Sequence, residues 1–162
     1  MEIAKKYADI LNNSDISGLS DELKIQYIKY QYEKNENDTI VLCNSLYEAT
    51  TIYNSLRTYI DNVLLFPMDD FLTTMALAVS PELKVKRLET LNALQNENKK
   101  LIITNLMGYL KFVPNKSVLQ KMNIILNKND KINRESFEEL IDKYGYTKTS
   151  IVTSTGEYSL RG

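Results

Sequence analysis

The chain has 162 residues, of which 43% are hydrophobic and 25% are charged, and its formal net charge is −1. These values are typical of a globular protein with one domain, or with one domain and part of another. The balanced charge lacks the basic excess with which nucleic-acid-binding domains neutralise phosphates. The chain has no histidine and a single cysteine, Cys43, so His-dependent catalysis, an internal disulfide and a cysteine zinc site are excluded within it.

The N-terminal segment gives no sign of membrane targeting. No apolar run in the sequence reaches the length of a transmembrane helix, and the first twelve residues have an amphipathic pattern instead of that of a signal peptide. We therefore predict a cytoplasmic protein with no membrane partner.

Helical and strand patterns alternate along the first two thirds of the chain. Apolar residues at helical spacing predict helices at 2–11, 20–34, 45–60 and 80–95. Apolar runs of the kind found in parallel strands buried on both faces occur at 39–43, 62–66 and 101–104. The segment 68–79 is apolar but poorly periodic and predicts a loop with a helical turn. Strands that alternate with helices predict an α/β fold, with a doubly wound parallel sheet and helices on both faces, ending near residue 114.

The helix predicted at 80–95 has the clearest start signal. Ser80 offers a hydroxyl as the N-cap, and Pro81 fits the first helical position because its missing N–H would be unpaired there in any case. Helical spacing places Val85, Leu88 and Leu91 on one side, and we expect these three side chains to point inward.

After residue 116 the pattern changes to that of a small α+β domain. The sequence predicts a strand at 118–126, a loop at 127–131 and a helix at 133–144 that begins at Asn133 and has Gly145 as its C-cap. A β-rich run at 147–154, the turn at 155–156 and the residues that follow predict a hairpin. Because this hairpin reaches Gly162, we expect the chain to be a fragment of a longer protein.

A glycine-containing helix start lies where a nucleotide-binding sheet would carry its phosphate loop. A working loop of that kind needs several glycines and then a lysine followed by serine or threonine. Here Gly18 is the single glycine, Ser20 follows it, and Lys24 is followed by isoleucine. Acidic residues at 21 and 22 occupy the first helical turn, where they would repel a phosphate. The pattern favours an ordinary capped helix start over a nucleotide site.

Two adjacent acids, Asp69 and Asp70, follow the strand predicted at 62–66. Carboxylates at the carboxyl end of such a strand can hold Mg²⁺ in an ATPase. Without a phosphate loop there is no triphosphate to share the metal, so we expect these acids to be solvated loop residues.

The C-terminal motif contains a second pair of candidate residues. If the chain continues there as a strand, Glu157 and Arg161 share one face, and Tyr158 and Leu160 share the other. Two interpretations are open. Glu157 and Arg161 can form a solvated local ion pair, or Arg161 can recognise an acidic surface on a partner.

The order of these motifs resembles the N-terminal region of bacterial transcription-repair coupling factors (Mfd), which is similar to the excision-repair helicase subunit UvrB. The resemblance extends over nearly the whole chain, and its final motif and Ser-Pro-Glu helix start are the most specific parts. The matching segments occur in the family's order and are 17–20, 44–49, 66–70, 80–83, 87–88, 91–94 and 156–162.

The resemblance implies a division of the chain into a degenerate RecA-like subdomain at 1–114 and the first part of a UvrA-binding α+β domain at 115–162. It implies that the ATP site kept by UvrB has been lost, with Gly18, Ser20 and Lys24 as its remnant, so no cofactor is expected for this chain. It also implies that Arg161 contacts UvrA, with Glu157 as a second candidate contact.

Other activities implied by the resemblance belong to parts of the parent protein outside this chain. These are a downstream motor that uses ATP and Mg²⁺, and the contacts with RNA polymerase and DNA, in a protein that resembles an ATP-dependent DNA translocase. Two alternatives remain open: a fragment of an active UvrB-like ATPase or helicase that binds nucleotide at 18–24, and a structural α/β domain. The missing Gly-Lys-Ser/Thr pattern argues against the first.

Overall fold

A computed structural model describes residues 15–70, 80–96 and 98–161, in two compact units at 1–112 and 113–162. The helix predicted at 2–11 and most of the loop predicted at 68–79 lie outside the described residues. The identities predicted for the two units, RecA-like and UvrA-binding, stay predictions. In chain order the elements are α1 (Asp21–Lys34), β1 (Thr39–Cys43), α2 (Leu46–Leu56), β2 (Val63–Phe66), α3 (Pro81–Ala93), β3 (Leu101–Asn105), α4 (Leu106–Tyr109), α5 (Lys116–Met122), α6 (Arg134–Lys143), β4 (Thr147–Lys148) and β5 (Glu157–Tyr158).

The first unit is built on a three-stranded parallel sheet in the order β1-β3-β2. The chain moves along the sheet in one direction from β1 to β2 and in the other from β2 to β3. Helix α2 packs on the core face of this sheet, and α3 lies along the outer edge of β2, where Lys86 reaches the ring of Tyr53 of α2. The predicted α/β class, with a parallel sheet flanked by helices, is confirmed.

One face of this sheet forms the core of the unit. Val41, Ile103 and Leu65 lie in register across β1, β3 and β2, and they pack with apolar side chains of α1 and α2. The central strand β3 is buried at all five positions. The buried hydrophobic residues of this core are Ile25, Tyr32, Cys43, Ala49, Ile52, Leu56, Val63, Leu65, Leu101 and Ile103.

The prediction that β1 is buried on both faces is wrong. Ile40 is 57% exposed and Leu42 is 50% exposed, although the bounds of the strand are as predicted. β1 lies at an edge of the described sheet, so the alternate side chains that point away from α1 and α2 are open to solvent.

The outer edge of β2 is closed by polar side chains of α3. Thr90 Oγ1 donates to the carbonyl of Leu65 at 2.6 Å, and Arg87 Nη1 donates to the carbonyl of Pro67 at 2.8 Å. In the described sheet no strand pairs with the outer edge of β2, so these two carbonyl groups have no strand partner. The bonds from α3 satisfy them instead. The inward-facing positions of α3 therefore include Arg87 and Thr90. The predicted inward orientation of Leu88 is wrong, since it is 56% exposed.

Helix starts follow the predicted cap residues with one difference. Ser20 and Ser45 accept hydrogen bonds from backbone N–H groups in the first turns of α1 and α2. Ser80 occupies the N-cap position of α3, but its side chain makes no cap hydrogen bond. The helix predicted to reach residue 60 ends at Leu56 and is followed by a turn, in which the N–H groups of Tyr59 and Ile60 both donate to the carbonyl of Leu56.

The second unit begins with a helix where a strand was predicted. Residues 116–122 form α5, because Asn115 Oδ1 accepts from Val118 N at 3.0 Å and caps a helical turn. The strand predicted at 118–126 is therefore wrong. The predicted helix start at Asn133 is confirmed by its bond from Ser136 N, also 3.0 Å. Gly145 follows α6 with a φ of +86°, as its predicted C-cap position requires.

The predicted C-terminal hairpin is also wrong. β4 and β5 are two residues long and pair in parallel, with Thr147 opposite Glu157 and Lys148 opposite Tyr158. The residues between them, 149–156, form a loop held by side-chain hydrogen bonds instead of a strand and a tight turn. No helix in the described ranges combines the length and the hydrophobicity that crossing a bilayer requires.

Candidate functional site

The three residues predicted as the remnant of a nucleotide loop, Gly18, Ser20 and Lys24, lie at or just before the start of α1. Gly18 has a φ of +76°, and Ser20 is the N-cap residue, with its hydroxyl 3.4 Å from Leu23 N. Lys24 points toward α2, where its Nζ lies 3.2 Å from Glu48 Oε1. The same ammonium is 3.9 Å from Asp21 Oδ1. The cation that a phosphate loop would offer to a ligand is thus paired with carboxylates of the chain itself.

The charge at the start of α1 is negative. Bonds from its own backbone N–H and from the hydroxyl of Ser20 lower the pKa of Glu22. The carboxylate therefore stays ionised beside the N–H groups that a phosphate would need. Gly18 and Lys24 line an open cavity of about 520 Å³, whose other lining residues, such as Val41 and Ile52, are mainly apolar.

The carboxyl end of the sheet is occupied by a polar network. Both carboxylate oxygens of Asp70 accept from Leu46 N, at 2.9 and 2.8 Å, so this side chain covers the N-terminus of α2. Asp70 Oδ1 also accepts from Asn105 Nδ2 at 2.7 Å. Asp70 is an exposed loop residue, so the prediction of a solvated loop acid is confirmed for it, and three short hydrogen bonds in addition fix the orientation of its carboxylate.

Asn105 is the centre of this network, and the sequence interpretation missed it. Its side chain is fully buried; Oδ1 accepts from Met68 N at 3.1 Å and from Gly108 N at 3.3 Å. Nδ2 donates to the carbonyl of Met68 at 2.7 Å as well as to Asp70. The sequence feature that could have identified Asn105 is a polar residue directly after the apolar run at 101–104. In the part of the chain that the structure describes, no cluster of His, Cys, Asp or Glu could hold a metal ion.

In the second unit, Glu157 supports the loop that precedes it. Its Oε2 accepts from Thr153 N at 2.7 Å, from Thr153 Oγ1 at 3.1 Å and from Ser154 N at 3.0 Å. The two backbone bonds, first that of Thr153 and then that of Ser154, lower the pKa of Glu157. The carboxylate predicted as a partner contact is thus engaged inside its own chain.

Arg161 has a different environment. Arg161 is exposed. Among the ion pairs of the described residues, none joins Arg161 to Glu157. β5 ends at Tyr158, so the strand face that the two residues were predicted to share does not extend to Arg161. The structure does not bring these two candidate residues together as an ion pair.

Tyr158 connects β5 to α6. Its hydroxyl lies 2.8 Å from Asp142 Oδ1 and 3.4 Å from Glu138 Oε1, and Lys148 of β4 forms an ion pair with Glu138. Partial burial, together with the hydrogen bond to Asp142, raises the pKa of Tyr158 to about 12. This cluster fixes the strand from which the chain continues to Arg161.

Comparison with known proteins gives one consistent result. The chain is 30% identical over 152 residues to a transcription-repair-coupling factor of Staphylococcus aureus (strain bovine RF122 / ET3-1), which is 93% of this chain. It is 31% identical over 149 residues, or 91% of the chain, to the factor of Staphylococcus haemolyticus. In both cases the chain spans 13% of the relative's length. No family model matches the chain. The resemblance to transcription-repair coupling factors is confirmed.

Proposed function

We propose that this chain, which is similar over nearly its whole length to transcription-repair-coupling factors, is a non-catalytic module that recruits the excision-repair protein UvrA. The main support is the similarity to a transcription-repair-coupling factor over 93% of the chain. A second support is the exposure of Arg161, which lies in the Gly-Glu-Tyr-x-x-Arg motif. In this proposal the second unit binds UvrA. The parent protein displaces stalled RNA polymerase by ATP-driven translocation on DNA.

Arg161 is the residue with the chemistry for such a contact. A guanidinium is planar and can give two parallel hydrogen bonds to one carboxylate, which an ammonium cannot reproduce. Glu157, the nearest acid in the motif, already accepts bonds from Thr153 and Ser154. These contacts support a role of Arg161 toward an acidic group on a partner, with Glu157 as a support for the loop.

The first unit supports the non-catalytic part of the proposal. Lys24 is paired with Glu48, and the start of α1 carries Asp21 and the ionised Glu22. A triphosphate bound there would have to displace the ion pair and tolerate the repulsion of two acids. We infer that ATP and Mg²⁺ act elsewhere in the parent protein.

The test is the affinity of UvrA for the chain and its variants, measured by titration calorimetry or biolayer interferometry. We expect Arg161→Ala to weaken binding by about 2 kcal/mol, close to 30-fold, as a central arginine anchor does. Arg161→Lys should restore little of this loss, because it keeps the charge and removes the planar geometry. The matched control is Arg57→Ala, an exposed arginine in the first unit, which should leave affinity unchanged.

The melting temperatures of these variants separate recognition from folding. Arg161 is exposed, so Arg161→Ala should change the melting temperature by less than about 2 °C. Unchanged UvrA affinity for Arg161→Ala would contradict the proposal, and so would a variant that loses binding because it unfolds.

A further inference from the structure

The chain reaches Arg161 along a path that lies on the second unit. Residues 157–160 are half-buried, and Arg161 is the exposed residue that follows them. The side chain that we propose as the partner contact therefore begins where the chain emerges from the unit. The bonds that hold residues 157–160 in place also set the position from which the guanidinium of Arg161 extends.

Tyr158 holds this path with its side chain and with its backbone. Its hydroxyl donates to Asp142 Oδ1 at 2.8 Å and lies 3.4 Å from Glu138 Oε1, and both acids belong to α6. Its carbonyl accepts from Thr149 N at 2.9 Å, directly after β4. A hydrogen bond to a carboxylate is shorter and stronger than one between neutral groups. Tyr158 is thus fixed to α6 through its side chain and to the end of β4 through its backbone.

The neighbours of Tyr158 are held to a different part of the unit. Ser159 Oγ donates to the carbonyl of Ser150 at 3.1 Å, and the carboxylate of Glu157 accepts two backbone N–H groups at 2.7 and 3.0 Å. Both sets of bonds go to the loop at 149–156. The hydroxyl of Tyr158 therefore joins to a regular helix a segment whose neighbouring side chains are bonded to a loop.

The position of Arg161 matters because of the geometry of its guanidinium. Two parallel hydrogen bonds to one carboxylate require the planar group to approach in one orientation. A side chain that extends from a fixed backbone loses less conformational freedom when it binds than one that extends from a mobile segment. Loss of the bond between Tyr158 and α6 would therefore weaken the contact of Arg161 without removing any atom of it.

We propose that the hydroxyl of Tyr158 is a positioning group for partner recognition, because its bond to Asp142 of α6 fixes the segment from which Arg161 meets a carboxylate of the partner. This inference rests on the proposed function, in which the partner is UvrA. Tyr158 acts through the segment at 157–160 and does not itself touch UvrA.

The first test is the affinity of UvrA for the full chain with Tyr158→Phe, which removes the hydroxyl and keeps the ring. We expect binding to weaken about 5- to 10-fold, less than the loss from Arg161→Ala. The matched control is Tyr144→Phe. Tyr144 is half-buried in the same unit, and its hydroxyl donates to the carbonyl of Lys121 at 2.9 Å. This control should change affinity less than about 2-fold, and equal losses from the two changes would show that Tyr158 has a merely structural role.

A second variant approaches the same bond from α6. Asp142→Ala removes the acceptor of the Tyr158 hydroxyl, so it should weaken UvrA binding by a factor similar to that of Tyr158→Phe. The two changes together should cost little more than either alone, because both break one bond. Unchanged affinity for Asp142→Ala, or losses that multiply in the double variant, would contradict the inference.

A double-mutant cycle connects Tyr158 with Arg161. If Tyr158 acts by positioning Arg161, Tyr158→Phe should weaken binding less than about 2-fold once Arg161 is alanine. A readout without UvrA is the order of the backbone amides of Leu160 and Arg161, measured by nitrogen-15 relaxation. Tyr158→Phe should lower these order parameters, and Tyr144→Phe should leave them unchanged. Unchanged order at these two amides in Tyr158→Phe would overturn the positioning role.

The outcomes separate this inference from the proposed function. A wild-type chain that does not bind UvrA overturns both. If Arg161→Ala weakens binding and Tyr158→Phe does not, the proposed function stands and the positioning role is wrong. If Tyr158→Phe weakens binding by the same factor with and without the guanidinium of Arg161, Tyr158 acts independently of Arg161, and the inference is again overturned.

Discussion

The side-chain amide of Asn105 donates to Asp70 Oδ1 at 2.7 Å, and this bond links the end of β3 to the start of α2. Asp70 connects the two elements because its carboxylate also accepts a hydrogen bond from Leu46 N in the first turn of α2. A parallel sheet offers ligands the crevice beyond the carboxyl ends of its strands. In this chain, the polar groups of Asp70, Asn105 and the α2 N-terminus at that place bond to each other.

Replacement of Asn105 by leucine should strongly destabilise the first unit. The change keeps the number of side-chain heavy atoms but leaves the buried N–H of Gly108 and the half-buried N–H of Met68 without their acceptor. It also removes one donor from the exposed carboxylate of Asp70. We expect a loss of about 3 to 5 kcal/mol in the free energy of unfolding, measured by urea denaturation. The control is Asn54→Leu, at an exposed position of α2, which should change stability by less than about 0.5 kcal/mol. A loss below 1 kcal/mol for Asn105→Leu would show that water replaces the Asn105 amide at Gly108 N, contrary to the burial of both residues.

Gly108 should tolerate no side chain. A Cβ at this position would lie 2.7 Å from the carbonyl of Phe66 and would also overlap Thr104 Oγ1. We expect Gly108→Ala to cost about 2 to 3 kcal/mol, as overpacking in a rigid site does. Gly145→Ala is the comparison, since Gly145 has open space around it and a φ of +86°, so its cost of about 1 to 2 kcal/mol is conformational. Equal costs for the two changes in urea denaturation would contradict the packing argument.

ATP should have no effect on the stability of the chain. With Lys24 held by Glu48 and acids in the first turn of α1, no cation is available for a triphosphate in the loop at 18–24. We expect the melting temperature to be the same with and without millimolar MgATP, whereas a ligand at 100 times its Kd would add about 2.7 kcal/mol. Lys24→Ala should cost no more than about 1 kcal/mol, because the pair is partly exposed. A saturable rise in melting temperature that Lys24→Ala abolishes would favour the ATPase alternative instead.

Local patterns were enough to predict most of the first unit. The runs at 39–43 and 101–104 became β1 and β3 because a short apolar segment between helices has few other solutions. The apolar runs do not contain the order of the strands in the sheet, which is β1-β3-β2. β1 and β3 look equally apolar in sequence, yet Ile40 is about half exposed and Ile102 is buried. Among the described strands, β3 alone has a neighbouring strand on each side. Edge position is a property of the whole sheet.

The second unit was predicted less well because its structure depends on side-chain bonds. The β-branched residues at 147–154 suggested a strand, but Glu157 takes the N–H groups of Thr153 and Ser154 and bends that segment into a loop. In the same way the cap at Asn115 turned an apolar pattern into α5. For the candidate site, the motif identified Glu157 and Arg161, but only the loop geometry separates a supporting carboxylate from an exposed guanidinium.

Tyr158 should make the second unit sensitive to high pH. Its pKa rises from about 10 to about 12 on folding, which means that the folded state favours the neutral phenol. This contribution to stability is fully present below pH 10 and is lost as the pH rises to about 12. Tyr158→Phe removes the titrating group and its bonds to Asp142 and Glu138. The difference in unfolding free energy between wild type and Tyr158→Phe, followed by far-UV circular dichroism in urea, should therefore shrink between pH 9 and pH 11.5. A constant difference over that range would show that the phenol titrates freely in the folded chain.

The two units should differ in protection against amide exchange. The first unit has a core of buried aliphatic and aromatic residues around β3, whereas Leu119 is the only buried hydrophobic residue among the described side chains of the second unit. Helices without a buried face open locally at low cost, so the amides of α6 should exchange at least about 100-fold faster than those of β3. Hydrogen exchange followed by NMR at pH 7 measures this directly. Leu101→Ala is a useful control, since it should accelerate exchange throughout the first unit and leave α6 unchanged if the units open independently. Equal protection of α6 and β3 in the wild-type chain would mean that the two units unfold as one cooperative structure, and the difference in their cores would then not determine their relative stability.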